Sequence, residues 1–162
     1  MKALLVVYHS ATGGTRQMAE AAAGAASDPE VTVRLLRAQD AAAGDVLGAD
    51  GYIFATPENL AAMAGAMKDF FDRTYYPVLE RLNGRPYATL ICAGSDGTNA
   101  VRQIERIAIG WRLRAVAEPL IVRTHAQTPE QILAPKTIGA DDLVRCEAIG
   151  ATMAAGMAAG VF

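Results

Sequence analysis

Ser10, Thr12 and Thr15 flank the pair Gly13-Gly14 in "YHSATGGTRQMAEA", directly after the apolar run "ALLVVY". A hydroxyl- and glycine-rich turn leading into a helix can do one kind of chemistry well. The first turn of a helix leaves backbone N–H groups without internal partners, and its dipole adds partial positive charge there. Glycine lets the backbone curl closely around an anion, and the hydroxyls add donors. A terminal monophosphate can be held this way without a cation. A polyphosphate–magnesium loop would need G-x-x-x-x-G-K-[ST], and no lysine follows these glycines. A dinucleotide loop would need G-x-G-x-x-G, whose spacing is absent. The plain alternative is an ordinary turn with a threonine helix cap.

Two other stretches could contribute chemistry: "ATPENLAAMAGAMKDFFDR", residues 55–73, and "AGSDGTNA", residues 93–100. Ser95 sits in an approximate nucleophile elbow, but the only downstream histidine, His125, precedes Asp141 and Asp142, the reverse of the hydrolase order. Asp96 is too close to serve. His9 is expected to orient structure beside the first turn, and His125 to be a solvated loop residue. Cys92 and Cys146 have no metal-ligand spacing and read as buried thiols. Lys68 and Asp72 form an i,i+4 surface pair, and Arg102, Arg106, Arg112 and Arg114 a solvated basic face.

The elements that must position these residues follow from periodicity. Apolar runs at Ala3–Tyr8, Gly51–Ala55 and Tyr87–Cys92 are nearly continuous, as in strands covered on both faces. Val31–Leu36 alternates and Val116–Val122 contains Pro119, so both read as edge strands. Helices are expected at Thr15–Ala26, Asp40–Leu47, Ala64–Leu82, Asn99–Leu113 and Asp141–Val161, with "NG" at 83–84 stopping the third. Strands alternating with helices give a three-layer α/β/α sandwich on a five-stranded parallel sheet, order 2-1-3-4-5, in a single domain spanning 1–162. Ligands then bind beyond the carboxyl ends of the strands, where residues 9–15, 56–63 and 93–98 converge. The polar connection 125–136 is too long for a simple turn.

The first motif resembles the phosphate loop of the flavodoxin-like flavoproteins, roughly [ST]-x-T-G-x-T. Ser10, Thr12, Gly13 and Thr15 occupy the matching positions, and Gly14 the variable one. The second resembles the segment after the third strand in the NAD(P)H-dependent FMN and quinone reductase branches, through Pro57, Met67, Lys68, Phe70, Asp72 and Arg73. The resemblance implies FMN as cofactor, with its 5′-phosphate on Ser10, Thr12, Gly13, Gly14 and Thr15. The flavin ring would lie between Pro57, Glu58, Asn59, Leu60 and Ala61 on one side and Gly94, Ser95, Asp96 and Gly97 on the other. Backbone amides near Glu58–Ala61 and Gly94–Gly97 would bond its polar edge. Asn59 is the better side-chain partner for the ring, and Glu58 is expected in solvent. The aromatic that relatives often set against the ring is replaced here by "ENL". The implied activity is an oxidoreductase taking electrons from NAD(P)H to a quinone, flavin or similar small acceptor. The alternative is a flavodoxin-type electron carrier. Many relatives form dimers or tetramers, which the small residues of the last helix permit.

Composition narrows the classes further. With 52% hydrophobic and 20% charged residues the chain reads as an ordinary globular protein. A net charge of −2 speaks against nucleic acid as a partner. "MKALLVVYHS" is too short in apolar residues for a signal-peptide core. The tail "AIGATMAAGMAAGVF" falls short of a membrane span. Its Gly156 and Gly160 read as close helix packing. A cytoplasmic protein with no membrane contact is the expectation.

Overall fold

Apolar runs with no polar alternation must be covered on both faces, and in the computed structural model, which describes residues 1–162, they are. Strands β1 (Lys2–Tyr8), β2 (Val31–Arg37), β3 (Gly51–Asn59) and β5 (Pro86–Ala93) run parallel in the spatial order β2-β1-β3-β5. A short antiparallel arm, β4 (Ala62–Met63), folds back on β3. The far edge is shared by β6 (Arg114–Ala115) and β7 (Leu120–Arg123), both parallel to β5. The expected order therefore holds, with its fifth strand split in two. Pro119, lacking an N–H, stands at the break.

Helices α1 (Gly14–Ala25) and α6 (Ala140–Ala158) cover one face. Helices α2 (Ala43–Leu47), α3 (Gly65–Val78) and α4 (Thr98–Gly110) cover the other. The two faces pack by different means. On the α2–α4 face Phe54 is ringed by Tyr52, Phe70, Phe71, Tyr87 and Trp111, with centroids 5.2–6.4 Å away. Edge-on and offset ring pairs of this kind add specificity to burial. The α1–α6 face is built from Ala, Gly and Met, and the two helices approach so closely that a Cβ at Gly150 would strike the backbone of Ala22. The small-residue packing expected at Gly156 and Gly160 is thus made by Gly150. Gly156 makes room for the Phe162 ring, and Gly160 lies past the helix end at φ +67°.

Helix α3 stops at Val78, four residues before the expected end. Pro77 removes a backbone donor in its last turn and Glu80 turns out at φ +65°. The Asn83-Gly84 pair instead makes a turn whose Gly84 N–H donates to the Arg112 carbonyl at 2.8 Å. Arg73 explains the ordered approach to α2. Its guanidinium donates to the carbonyls of Ala38 (2.8 Å) and Ala41 (3.0 Å) while its Nε pairs with Asp69. The Lys68–Asp72 pair forms at 2.6 Å on the surface, as its spacing predicts. These three motif residues thus work on structure. No helix is long and apolar enough to cross a membrane.

Candidate functional site

The carboxyl ends of β1, β3 and β5 place residues 9–15, 56–63 and 93–98 on one edge. At the first of these, Gly13 stands just before α1 with φ +93°, a left-handed conformation that admits glycine readily. No side chain caps the helix, so a threonine cap is not what this turn is for. Ser10 Oγ accepts from the Gly13 N–H at 3.1 Å, closing the turn and leaving its own proton free. The N–H groups of Ser10, Ala11, Thr12, Gly14, Thr15 and Arg16 donate to no protein acceptor. Six backbone donors and the nearby hydroxyls of Ser10 and Thr12 make a concave seat at the positive end of a helix. Gly14 has a different task from Gly13: a Cβ there would lie 2.8 Å from Cys92 Sγ, so the turn rests directly on β5.

The residues from 124 onward cross this edge. The N–H groups of Thr124 and His125 donate to the carbonyls of Ala93 and Gly94 at 2.8 and 2.9 Å. The chain then forms a short helix, α5 (Pro129–Leu133), before the Lys136 N–H reaches the Thr12 carbonyl at 2.8 Å. Gln17 locks the return. Its Nε2 donates to the carbonyls of Gly13 (2.9 Å) and Lys136 (2.7 Å), and its Oε1 accepts from the Ile138 N–H (2.9 Å). The Lys136 ammonium, 3.5 Å from Thr12 Oγ1, is held by the carbonyls of Ile132 (2.8 Å) and Ala134 (2.6 Å). A loop without a lysine of its own is thus given one by a segment 124 residues away.

The second junction, at α4, is the opposite case. Here carboxylates of the protein already fill the helix N-terminus. Glu58 accepts from the N–H groups of Gly97 (2.8 Å) and Ala100 (3.0 Å), and Asp96 from that of Thr98 (3.2 Å). The Thr98 hydroxyl and amide hold the Asp96 carboxyl below its ordinary range. Glu58 is therefore half-buried and bonded where solvent was expected. A carboxylate beside unpaired amides at a helix start gains both hydrogen bonds and dipole. Gly97, foreseen as a ring-edge donor, has its amide committed to Glu58.

Residues 56–63 are a hairpin. Glu58 faces Met63 and Asn59 faces Ala62, joined by a two-residue turn with Leu60 at φ +51° and Ala61 at φ +61°. Asn99 Nδ2 donates to the Ala61 carbonyl at 2.5 Å, and Gln103 Oε1 accepts from the Met63 N–H at 2.8 Å. With Glu58 these ties dock the hairpin on α4. Leu60 stands fully exposed at its tip, and Asn59 beside it is exposed. Pro57 lies on β3 opposite Cys92. Ser95 and Asp96 are exposed on the facing loop, and Gly94 lies under the crossing chain, where a Cβ would sit 2.9 Å from the Ala126 carbonyl.

Other candidates separate cleanly. No hydrogen bond joins Ser95 to a histidine, which removes the hydrolase arrangement. Burial pushes the Cys92 thiol up, against the opposing pull of Lys136 and Thr15, and raises that of Cys146 to about 12. Neither is a nucleophile near neutrality. No group of His, Cys, Asp and Glu could hold a metal ion.

A family model described as NADPH-dependent FMN reductase matches residues 40–127, the stretch holding the hairpin, α3, β5 and α4. The chain belongs to this family. The match excludes the loop 9–15, so the open seat at α1 is an independent observation. A flavodoxin from Aquifex aeolicus is 40% identical over 97 residues, 59% of this chain and 50% of that one. An NAD(P)H dehydrogenase (quinone) from Acidithiobacillus ferrooxidans is 35% identical over 95 aligned positions, covering 46% of this chain and 48% of the relative. The chain therefore spans about half the length of these curated relatives. Solved structures agree on the fold. An archaeal flavodoxin superposes with a TM-score of 0.77 at 19% identity, covering 96% of this chain and 99% of that one. A WrbA-like flavodoxin from Agrobacterium tumefaciens superposes with a TM-score of 0.71 at 19% identity, covering 96% of each. Family membership points to FMN as cofactor.

The site fits that group on its own chemistry. A doubly ionised phosphate ester needs several convergent donors, and the α1 turn presents them unused. A flat ring needs small residues and polar edges about it, and exposed Asn59, Leu60, Ala61, Ser95 and Asp96 stand on the same edge of the sheet as that turn. Sequence reasoning missed Gln17, Lys136 and the arginines Arg16 and Arg37 near the seat. Arg16 and Gln17 were visible as the first turn of the helix. Lys136 had no local signal at all.

Proposed function

We propose that the protein binds FMN and uses NAD(P)H to reduce a small acceptor of the quinone or flavin type. The observation that carries this reading is the contrast between two neighbouring helix starts on one edge. One is filled by Glu58 and Asp96, and the other keeps its amides open. Of these two helix starts, only that of α1 has amides open to an anionic ligand. Ser10, Thr12, Gly14 and Thr15 would hold the phosphate through backbone N–H and hydroxyl donors, with Gly13, its N–H bonded to Ser10 Oγ, shaping the turn and Lys136 adding positive charge at Thr12. Pro57, Asn59, Leu60 and Ala61 would line one side of the ring, with Leu60 as its apolar cover, and Gly94, Ser95 and Asp96 the other. Glu58 and Gly97 would act as the tie that keeps these two sides at a fixed spacing. Bound flavin supplies two-electron redox chemistry between donor and acceptor, so no protein nucleophile is required.

The protein purified without added cofactor should carry a yellow chromophore with the mass of FMN, and should consume NAD(P)H when a soluble quinone or free flavin is supplied. Colourless protein that shows no absorbance change on FMN titration would end this reading. The similarity to Aquifex aeolicus flavodoxin favours a second one, an electron carrier. Retained FMN with no NAD(P)H consumption in the presence of either acceptor would select the carrier.

A further inference from the structure

We propose that α5 is a switch thrown by an anion on the α1 turn, with the Lys136 ammonium as its moving part. The inference rests on the phosphate reading of that turn given above. Residues 127–135 hold together almost wholly by themselves. The Gln131 side chain accepts from the N–H groups of Gln127 (2.9 Å) and Thr128 (3.3 Å), and the Gln131 N–H donates to the Thr128 hydroxyl (3.2 Å). The N–H groups of Ile132 and Ala134 donate to the carbonyls of Thr128 (2.9 Å) and Glu130 (3.0 Å). All these residues except Ala134 are exposed, Ile132 by 50% and Leu133 by 75%. Outside their own stretch they have one hydrogen-bonding partner, Lys136. A five-residue helix that buries no side chain has little else to keep it formed.

Lys136 has two sets of acceptors and one ammonium. Its backbone is fixed, the N–H bonded to the Thr12 carbonyl and the carbonyl to Gln17 Nε2. Its side chain is what can move. Two of its three N–H donors close the C-terminal end of α5 through the Ile132 and Ala134 carbonyls, and the third faces Thr12 Oγ1 at 3.5 Å. Thr12 belongs to the turn that presents the open amides, so an anion seated there stands beside this ammonium. A dianion attracts an ammonium far more strongly than a neutral carbonyl does. The ammonium turns to the anion, and the two carbonyls lose their donor. α5 then loosens, while Gln17 keeps the chain pinned at Lys136 and Ile138. Leu133 and Pro135 border a cleft of about 540 Å³ beside the turn, with loop 9–13 on its other side. Loosening α5 frees that wall, so occupancy of the α1 turn is transmitted to a stretch of surface hydrogen-bonded to no other element.

Amide–water exchange at Ile132 and Ala134, measured by NMR, tests the switch with inorganic phosphate, FMN and riboflavin as probes. Saturating phosphate and FMN should each speed exchange at both amides about tenfold, the size of one lost charge-assisted bond. Riboflavin, which has no phosphate, should leave both rates unchanged. Lys136→Met should exchange fast with or without phosphate, because its α5 has no ammonium to lose; unchanged Trp111 fluorescence would show that the variant is folded. Slowed or unaltered exchange with phosphate bound to the wild-type protein, or a phosphate response kept by Lys136→Met, would overturn the switch. If FMN binds and α5 does not respond, the switch falls and the flavin reading stands. If phosphate loosens α5 and FMN does not bind, the flavin reading falls and the switch stands. Binding of neither would overturn both.

Discussion

His9 closes β1 and lines the cleft, where partial burial holds its imidazole below the ordinary value of 6.5. Burial disfavours the charged ring, so the folded chain takes up a proton later than the unfolded chain as pH falls. Its contribution to stability is whole above pH 6.5 and is lost as pH drops through the folded value. His9→Asn should flatten the acid side of the stability profile; urea midpoints at neutral and mildly acidic pH would show it, and an unchanged slope would refute it. Gly13 makes a separate demand. A Cβ there has no neighbour closer than 3.7 Å, so space is not the obstacle. The left-handed φ is, and Gly13→Ala should cost about 1–2 kcal/mol of folding stability, read from denaturant melts. The residue type and spacing of 10–15 were enough to show a seat for an anion. The bonded state of Glu58 was not legible, because its partners are amides some 40 residues on and no local pattern encodes them.

The hairpin of β3 and β4 is held by opposing tendencies. A two-residue turn with both φ values positive favours Asn-Gly, and this one is built from Leu60-Ala61. Strain at its tip is offset by three ties to α4. Replacing the tip by Asn-Gly should stabilise the protein by about 1–2 kcal/mol, the usual left-handed penalty for non-glycine residues, measurable as a raised melting temperature. No gain would mean that the ties already relieve the turn. Glu58→Ala should act in reverse, losing about 1–3 kcal/mol as the Gly97 and Ala100 amides lose a charged acceptor. Here the element boundaries teach something about reading sequence. Strands β1, β3 and β5 showed as nearly continuous apolar runs and β2 as an alternating one, but "ATPENLAAM" looked like a loop because its turn carries neither Asn nor Gly. Helix α5 does have a local signal: Thr128-Pro129-Glu130-Gln131 is a capping box with proline in the first turn, and its Thr128 hydroxyl accepts from the Gln131 N–H at 3.2 Å.

One sheet buried between two helical layers makes the halves of the molecule interdependent, since β1, β3 and β5 each bury residues in both cores. We propose that residues 1–162 unfold as one unit. Trp111 fluorescence and far-UV circular dichroism should trace a single coincident denaturant transition, and separated midpoints would divide the chain. The two cores nonetheless differ in what they will accept. The rings around Phe54 meet side chain to side chain, whereas α1 and α6 meet with bare backbone at Ala22 and Gly150. Any side chain at position 150 must push the last helix off the first, so the cover over that face of the sheet hangs on a single hydrogen atom.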